Sequence, residues 1–423
     1  MITHQQIIDL IKREVVPALG CTEPIAVALA CAKAREVLGE EPDRIDVLVS
    51  GNILKNSMAV GVPGTGMKGL PIAAALGVIG GDASLALEVI SKVTPAQVAQ
   101  AKEMVAHKMC HIQLKEDTDP LYIECHCHKG ENRALVVINH QHTNIVRVQY
   151  NDEVLLEFDE IAASTEDERL EGLSMRAIWD FITSVAIEDI EFLWQGYVLN
   201  KAISDEGLSK PYGMQVGRKM KKNIELGIFG DDLINSAILM TSAGADARMD
   251  GCTLPVMSNS GSGNQGITTF LPVVAVAEKL KKSHEETLRA LALSNLVAIH
   301  MKSYLGRLSA LCGVVVAATG AACGAAYLLS ANYDQIVATT KNMIGGITGM
   351  ICDGAKVGCS LKISAGVSAA IQAAMLAIDG VEISSLDGII EDDIEQTIRN
   401  FGEIGSEGML ETDKMILHQM SCK

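Results

Sequence analysis

The chain has 423 residues, 48% of them apolar and 21% charged, with a formal charge of −17 at pH 7. That length holds two or three domains with ample core. The excess of acid argues against nucleic acid or an anionic membrane surface as partner and leaves a small molecule as the expected substrate.

In chain order, residues 4–16 predict an amphipathic helix ending near Pro17, and Pro24 to Leu38 an Ala-rich helix. RIDVLVSGNI reads as a strand, and PIAAALGVIGG as a small-residue helix closed by Gly80 and Gly81. From 110 to 158, HIQLKE, LYIECHCHK, RALVVINHQ, NIVRVQY and EVLLEF are short runs rich in Val, Ile and Tyr, separated by polar turns, and predict an antiparallel meander. Beyond about residue 165 the segments have helical spacing or helical length. The expected class is α+β: an N-terminal α+β domain with an antiparallel sheet over 1–165 and a mostly α-helical domain over 166–423. No heptad, repeat or low-complexity run interrupts the sequence.

The opening stretch MITHQQIIDLIKREVVPALG has no basic segment leading into an apolar one. No signal peptide is expected, and the predicted location is the cytoplasm, where thiols stay reduced. The 11 cysteines are an odd number scattered over the chain, so they read as buried small residues, metal ligands or reactive groups rather than a disulfide framework. Leu308 to Tyr333 carries no charge and is long enough to span a bilayer. Gly and Ala dominate it, aromatic belts and basic clusters do not flank it at both ends, and its neighbours are amphipathic. A helix buried all round inside a bundle is therefore expected.

Two stretches carry chemistry. MDGCTLPVMSNSGSGNQGITTF, residues 249–270, sets serines and asparagines among glycines just before an apolar helix. Backbone N–H groups freed by glycine, small hydroxyls and a helix N-terminus make an anion cradle, matching neither the Walker A nor the dinucleotide pattern. A substrate carboxylate held by Ser260, Ser262 and Asn264 is expected there. The second stretch, GMICDGAKVGCSLK at 349–362, puts Cys352 and Cys359 around Asp353 and Lys356. That charged pair is costly to bury without partners, and a nearby Lys favours thiolate. Cys312, near the start of the uncharged run, and Cys323 both lie within it. Compact CxxC pairs, the mark of zinc, are missing, whereas an iron–sulfur cluster accepts ligands far apart in sequence. CHCH at 125–128 imitates a metal motif, but on a strand Cys125 and Cys127 face one way and His126 and His128 the other. Met214, Met220 and Met240 read as core filler.

CTEP at 21–24, SGSGNQG at 260–266, LCG at 311–313 and GMICDGAK at 349–356 resemble, in this order, the L-cysteine desulfidase family. Its C-terminal half is similar to the α domain of iron–sulfur L-serine dehydratases. The resemblance runs over essentially the whole chain. It implies an oxygen-sensitive [4Fe–4S] cluster and conversion of L-cysteine to pyruvate, ammonia and hydrogen sulfide without pyridoxal phosphate. Carried over by motif, it offers Cys312 and Cys352 as ligands, with Cys359 or Cys21 as the third. The spacing from Cys352 to Cys359 is shorter than in the dehydratases. Cys422 is similar in position to a C-terminal cysteine that caps the cluster in some dehydratases.

An iron left open by three thiolates would act as Lewis acid toward the β substituent, SH or OH, while a base takes the α proton. Lys356 is a candidate for stabilising charge beside the cluster, with a salt bridge to Asp353 as its alternative. Lys68 in GVPGTGMKG is a candidate base, and Lys55 its rival. L-Serine dehydration and a non-enzymatic amino-acid-binding protein are the competing functions, and a homo-oligomer without membrane or nucleic-acid partners is the expected state.

Overall fold

The computed structural model describes residues 2–158, 170–306 and 308–422; the boundary expected at 165 to 166 lies outside them. Helix α1 (His4–Glu14) starts at a capping box from Thr3 and buries Ile7, Ile8, Leu10 and Ile11. There follow a two-residue strand β1 (Pro17–Ala18), α2 (Thr22–Leu38), β2 (Arg44–Val49), α3 (Gly51–Ser57), α4 (Leu70–Gly80) and α5 (Pro95–Ala106). Then come β3 (Cys110–Leu114), β4 (Tyr122–Lys129), β5 (Asn132–Asn139), β6 (Ile145–Tyr150) and β7 (Glu153–Glu157).

Strands β2 to β7 form one sheet in the order β3-β2-β4-β5-β6-β7. From β4 to β7 it is the expected antiparallel meander. Its first predicted member departs from that pattern. β3 runs parallel to β2 at the sheet edge, and β2 inserts between β3 and β4. The cause is the connection, since a crossover through α3, α4 and α5 returns the chain in its original direction, as a parallel neighbour requires. α2 lies on the sheet and α4 on α2. The small residues set that distance: a Cβ on Gly77 would stand 2.3 Å from the Ala28 carbonyl oxygen. Cys125 and Cys127 point into this core with no exposure, while His126 and His128 bond Glu124 and Asp46 on the other face. CHCH thus alternates as a strand must, and its four side chains do not converge.

The remaining chain is helical: α6 (Met175–Ser184), α7 (Ile187–Ile190), α8 (Leu193–Ser209), α9 (Val216–Glu225), α10 (Leu233–Met249), the short β8 (Val256–Met257), α11 (Gly263–Leu280), α12 (His284–Leu305), α13 (Gly313–Leu328), α14 (Tyr333–Ile347), α15 (Cys359–Ile378), α16 (Ile394–Glu403) and α17 (Leu410–Ser421). The uncharged run supplies α13, 16 residues long and surrounded by α11, α12, α14 and α15. Its faces can all be apolar because all are covered. Among the described residues one helix, α15, is long and apolar enough to cross a membrane, with mean hydropathy 1.6; it packs against α10 and α13. Met220 and Met240 pack against the helical core, and Met214 is exposed.

The chain's ends tie the sheet to the helices. α1 buries its apolar face in the helical core. β1 pairs antiparallel with β8, Pro17 opposite Met257. α17 returns to lie against α3.

Candidate active site

Four helices begin at one cavity of about 110 Å³. Cys21 is the N-cap of α2, Ser262 of α11 and Cys312 of α13, and Cys359 is the first residue of α15. Cys352 joins them from the segment whose Ile351 bridges Leu311. The cavity therefore brings together all four candidate thiols, Cys21, Cys312, Cys352 and Cys359. A helix N-terminus carries partial positive charge, which at Cys21, Cys312 and Cys359 works against the cost of burying a thiolate. Among the described residues no three His, Cys, Asp or Glu side chains converge on a single ion-sized point.

The thiols differ electrostatically. A hydrogen bond from Cys312 holds the Cys352 thiol down at about 6 against the opposing effect of burial, helped by the charges of Lys55 and Lys362. The same pairing, with burial, pushes Cys312 up. Burial raises Cys359, while Lys356 and Lys362 pull the other way. Cys21 is raised by burial and by the carboxylate of Glu23, whose Oε2 accepts its thiol at 3.1 Å. Glu23 Oε1 also accepts the side-chain amide of Asn56 at 3.0 Å, so this buried carboxylate stays satisfied.

A second set of groups suits a carboxylate guest. Ser262 and Asn264 line the cavity with Gln265 and Lys302. Arg248, at the end of α10, is 2% exposed and donates through Nη1 to Asn264 Oδ1 at 3.0 Å, while its buried Nε has no protein partner. Glycine at 263 makes room for it, since a Cβ there would lie 2.3 Å from Arg248 Nε. A buried guanidinium with an unused N–H is built to receive an anion. Nothing in the sequence reading pointed to Arg248. The available signal was a charged residue placed inside the otherwise small-residue run of α10. Lys302 and Lys362 were missed as well. Lys362 reaches the cavity wall, donating to the Ile351 carbonyl at 2.8 Å and pairing with Asp353.

The other expected residues stand elsewhere. Ser260 does not line the cavity. It sits in a tight turn at φ 47°, and its hydroxyl donates to Asn259 Oδ1 at 2.9 Å. Lys356 pairs with Asp353, the alternative that its neighbourhood in sequence offered. Lys68 is exposed in the turn closed by the Gly61–Lys68 bridge, and Lys55 is buried against Asp413. Cys323 lies inside α13, hydrogen-bonded to Thr340 at 3.3 Å, with burial pushing it up to about 12. Cys422 is exposed, its sulfur 3.8 Å from His418.

Helix N-termini gathered around a thiol-lined cavity form the candidate site, and similarity to known proteins gives it its class, a dehydratase-like lyase. Residues 84–418 match the family model described as serine dehydratase alpha chain. The match begins well before the helical region and takes in the whole meander. The chain belongs to this family, and within it resembles the curated UPF0597 proteins. That of Bacteroides thetaiotaomicron is 49% identical over 421 residues, 99% of this chain and 98% of the relative. That of Oleidesulfovibrio alaskensis is 48% identical over 98% of this chain and 97% of its own. That of Aeromonas hydrophila is 44% identical over 98% and 96%.

Proposed function

We propose that the protein is a [4Fe–4S]-dependent β-eliminating lyase converting L-cysteine to pyruvate, ammonia and hydrogen sulfide. The observation that carries this reading is the meeting of four thiols and a buried guanidinium at one cavity. Membership of a serine dehydratase family supports the reaction class. The order of CTEP, SGSGNQG, LCG and GMICDGAK supports sulfur as the leaving group.

The donor set suits the cluster. A cubane takes its thiolates on separate irons rather than at one point, so four cysteines around a cavity fit it although they make no single-ion site. Cys312 and Cys352 would hold it with Cys359 as third ligand. Burial disfavours thiolate at both Cys359 and Cys21, but Lys356 and Lys362 favour it at the first, whereas Glu23 opposes it at the second. When bound, such a group with one iron free of protein ligands supplies a Lewis acid for the β substituent.

The chain's own residues do the rest. Arg248, Asn264 and Ser262 fix the substrate carboxylate and with it the direction of the α C–H bond. Removal of the α proton leaves its electron pair to form the double bond of aminoacrylate as the Cβ–S bond breaks. The sulfur departs with that bond's pair and takes up a proton to become hydrogen sulfide. The enamine tautomerises, and water releases ammonia and pyruvate. Lys302 and Lys362, on the cavity wall, are better disposed for the proton step than Lys68 or Lys356, which do not line it.

Anaerobic reconstitution with iron and sulfide tests the reading. Loaded protein should release sulfide and pyruvate in equal amounts from L-cysteine and turn over L-serine more slowly. Fully loaded protein that dehydrates L-serine and leaves L-cysteine untouched would assign it as a serine dehydratase. Full loading without turnover of either would make it a binding protein.

A further inference from the structure

Among the described residues Lys55 is the largest fully buried side chain, 1% exposed. Its ammonium pairs with Asp413 on α17. Burying an ammonium is costly unless a partner is held in place for it, so this contact between the two ends of the chain requires α17 to be docked. Yet no described residue of α17 is itself buried. A helix with so little apolar burial adds little to global stability. What it touches is the back of the cysteine-bearing segments.

Three contacts define that back. Gly354, two residues after Cys352, has φ 86°, and a Cβ there would stand 2.4 Å from the Lys55 carbonyl oxygen and 3.3 Å from Met420 Cε. The cysteine loop is thus held between α3 and α17. At the other cysteine, Ser309 donates to the Gly405 carbonyl at 2.6 Å, and a Cβ on Gly405 would strike Leu305 at 2.0 Å and Leu311 at 3.3 Å. Leu417 closes the dock, with its Cδ2 2.7 Å from where a Gly51 Cβ would stand.

We propose that residues 405–420 are the positioning element for Cys312 and Cys352, and that the Lys55–Asp413 ion pair is its lock. The inference rests on the functional reading only in taking these two thiols as the working ones. Lys55 on this account is a positioning residue, not the base.

The test uses full-length protein prepared without cluster, so its outcome does not depend on whether a cluster is the true cofactor. Wild type, Lys55→Met, Asp413→Asn and Asp413→Glu are treated with iodoacetamide, and alkylation of each cysteine is followed by mass spectrometry. Cys323, sealed inside α13, serves as the internal control for global opening. In Asp413→Asn, which keeps the Lys55 charge beside Cys352, both Cys312 and Cys352 should be labelled about tenfold faster, the factor expected if opening becomes easier by about 1.4 kcal/mol, while Cys323 keeps its wild-type rate; in Lys55→Met, which also removes a cation favouring the Cys352 thiolate, the same rise is read at Cys312. Asp413→Glu, which keeps the charge, should restore most of the protection. Unchanged labelling at Cys312 and Cys352 overturns the proposal. A parallel rise at Cys323, or failure of both single variants to fold, also overturns it, because the pair would then be holding the whole fold. Met420→Ala, remote from the ion pair, gives an independent arm. It should accelerate Cys352 selectively, and no change there would count against the back-plate.

Discussion

Cys312 and Cys352 are held side by side by reciprocal main-chain hydrogen bonds: the Cys312 N–H donates to the Met350 carbonyl at 2.9 Å, and the Cys352 N–H to the Ala310 carbonyl at 2.6 Å. Backbone pairing of this kind fixes where the sulfurs start, independently of what they bind. Substitution of either sulfur should therefore change chemistry more than fold. Cys352→Ser and Cys359→Ser are expected to lose iron and activity with an unchanged helical circular dichroism signal, and Cys21→Ser to keep its iron. Full iron loading in Cys352→Ser would sink the ligand assignment, and loss of iron in Cys21→Ser alone would exchange the third ligand.

The carboxylate side of the cavity gives a graded series. Asn264→Ala leaves Arg248 without one partner and should cost about 1–3 kcal/mol in kcat/KM, with iron content unchanged. Arg248→Met, which removes the charge and the orphaned N–H together, should cost more and appear mainly in KM. Ser262→Ala should lower both thermal stability and kcat/KM, since the hydroxyl caps α11 at the cavity. Ser260→Ala should leave kcat/KM as it is. Steady-state kinetics on iron-matched preparations check all four.

Gly320 on α13 has no room for a side chain: a Cβ would stand 2.2 Å from the Ser294 carbonyl oxygen on α12. Gly320→Ala should destabilise the protein by about 1–3 kcal/mol despite its better helix propensity, because it forces the central helices apart. A thermal melt no lower than wild type would show that the helix pair can relax at no cost.

The outer face of the sheet predicts an acid response. The hydrogen bond from His126 at 2.7 Å, aided by Lys115 and Tyr122, overcomes burial and brings Glu124 from 4.5 to about 2. A carboxylate depressed in the fold contributes stability that is complete above its unfolded value and is lost as pH falls from about 4.5 toward 2. The stability gap between wild type and Glu124→Gln, read by urea unfolding, should be widest near neutrality and shrink below about pH 4.5. A gap independent of pH would remove the ion pairs from the account.

Periodicity in the sequence was enough to predict α1, α4, the meander and the buried α13, since each is decided locally by which positions are apolar. β3 was misplaced because strand direction depends on what lies between two strands, and the crossover through α3 to α5 has no local signature in HIQLKE. The cysteines were legible through their motifs, but their convergence was not. Cys21 and Cys359 become neighbours through the packing of four helix ends, which no residue pattern encodes. Arg248 and Lys362 escaped for a related reason. A charge on a helix looks solvated until the tertiary structure covers it, as it does Arg248 at 2% exposure. Lys68 drew attention through the glycines around it, yet those glycines serve the turn.

The tying of the chain's ends has a consequence for the life of the protein in the cell. Cys21 is made long before Cys359, and β1 has no partner until β8 exists. α3 likewise waits for α17 before Lys55 finds Asp413. The thiol cavity therefore cannot be complete before the chain has been made as far as Lys362. Any metal group that these thiols hold in common meets a chain whose sheet and most of whose helices already exist.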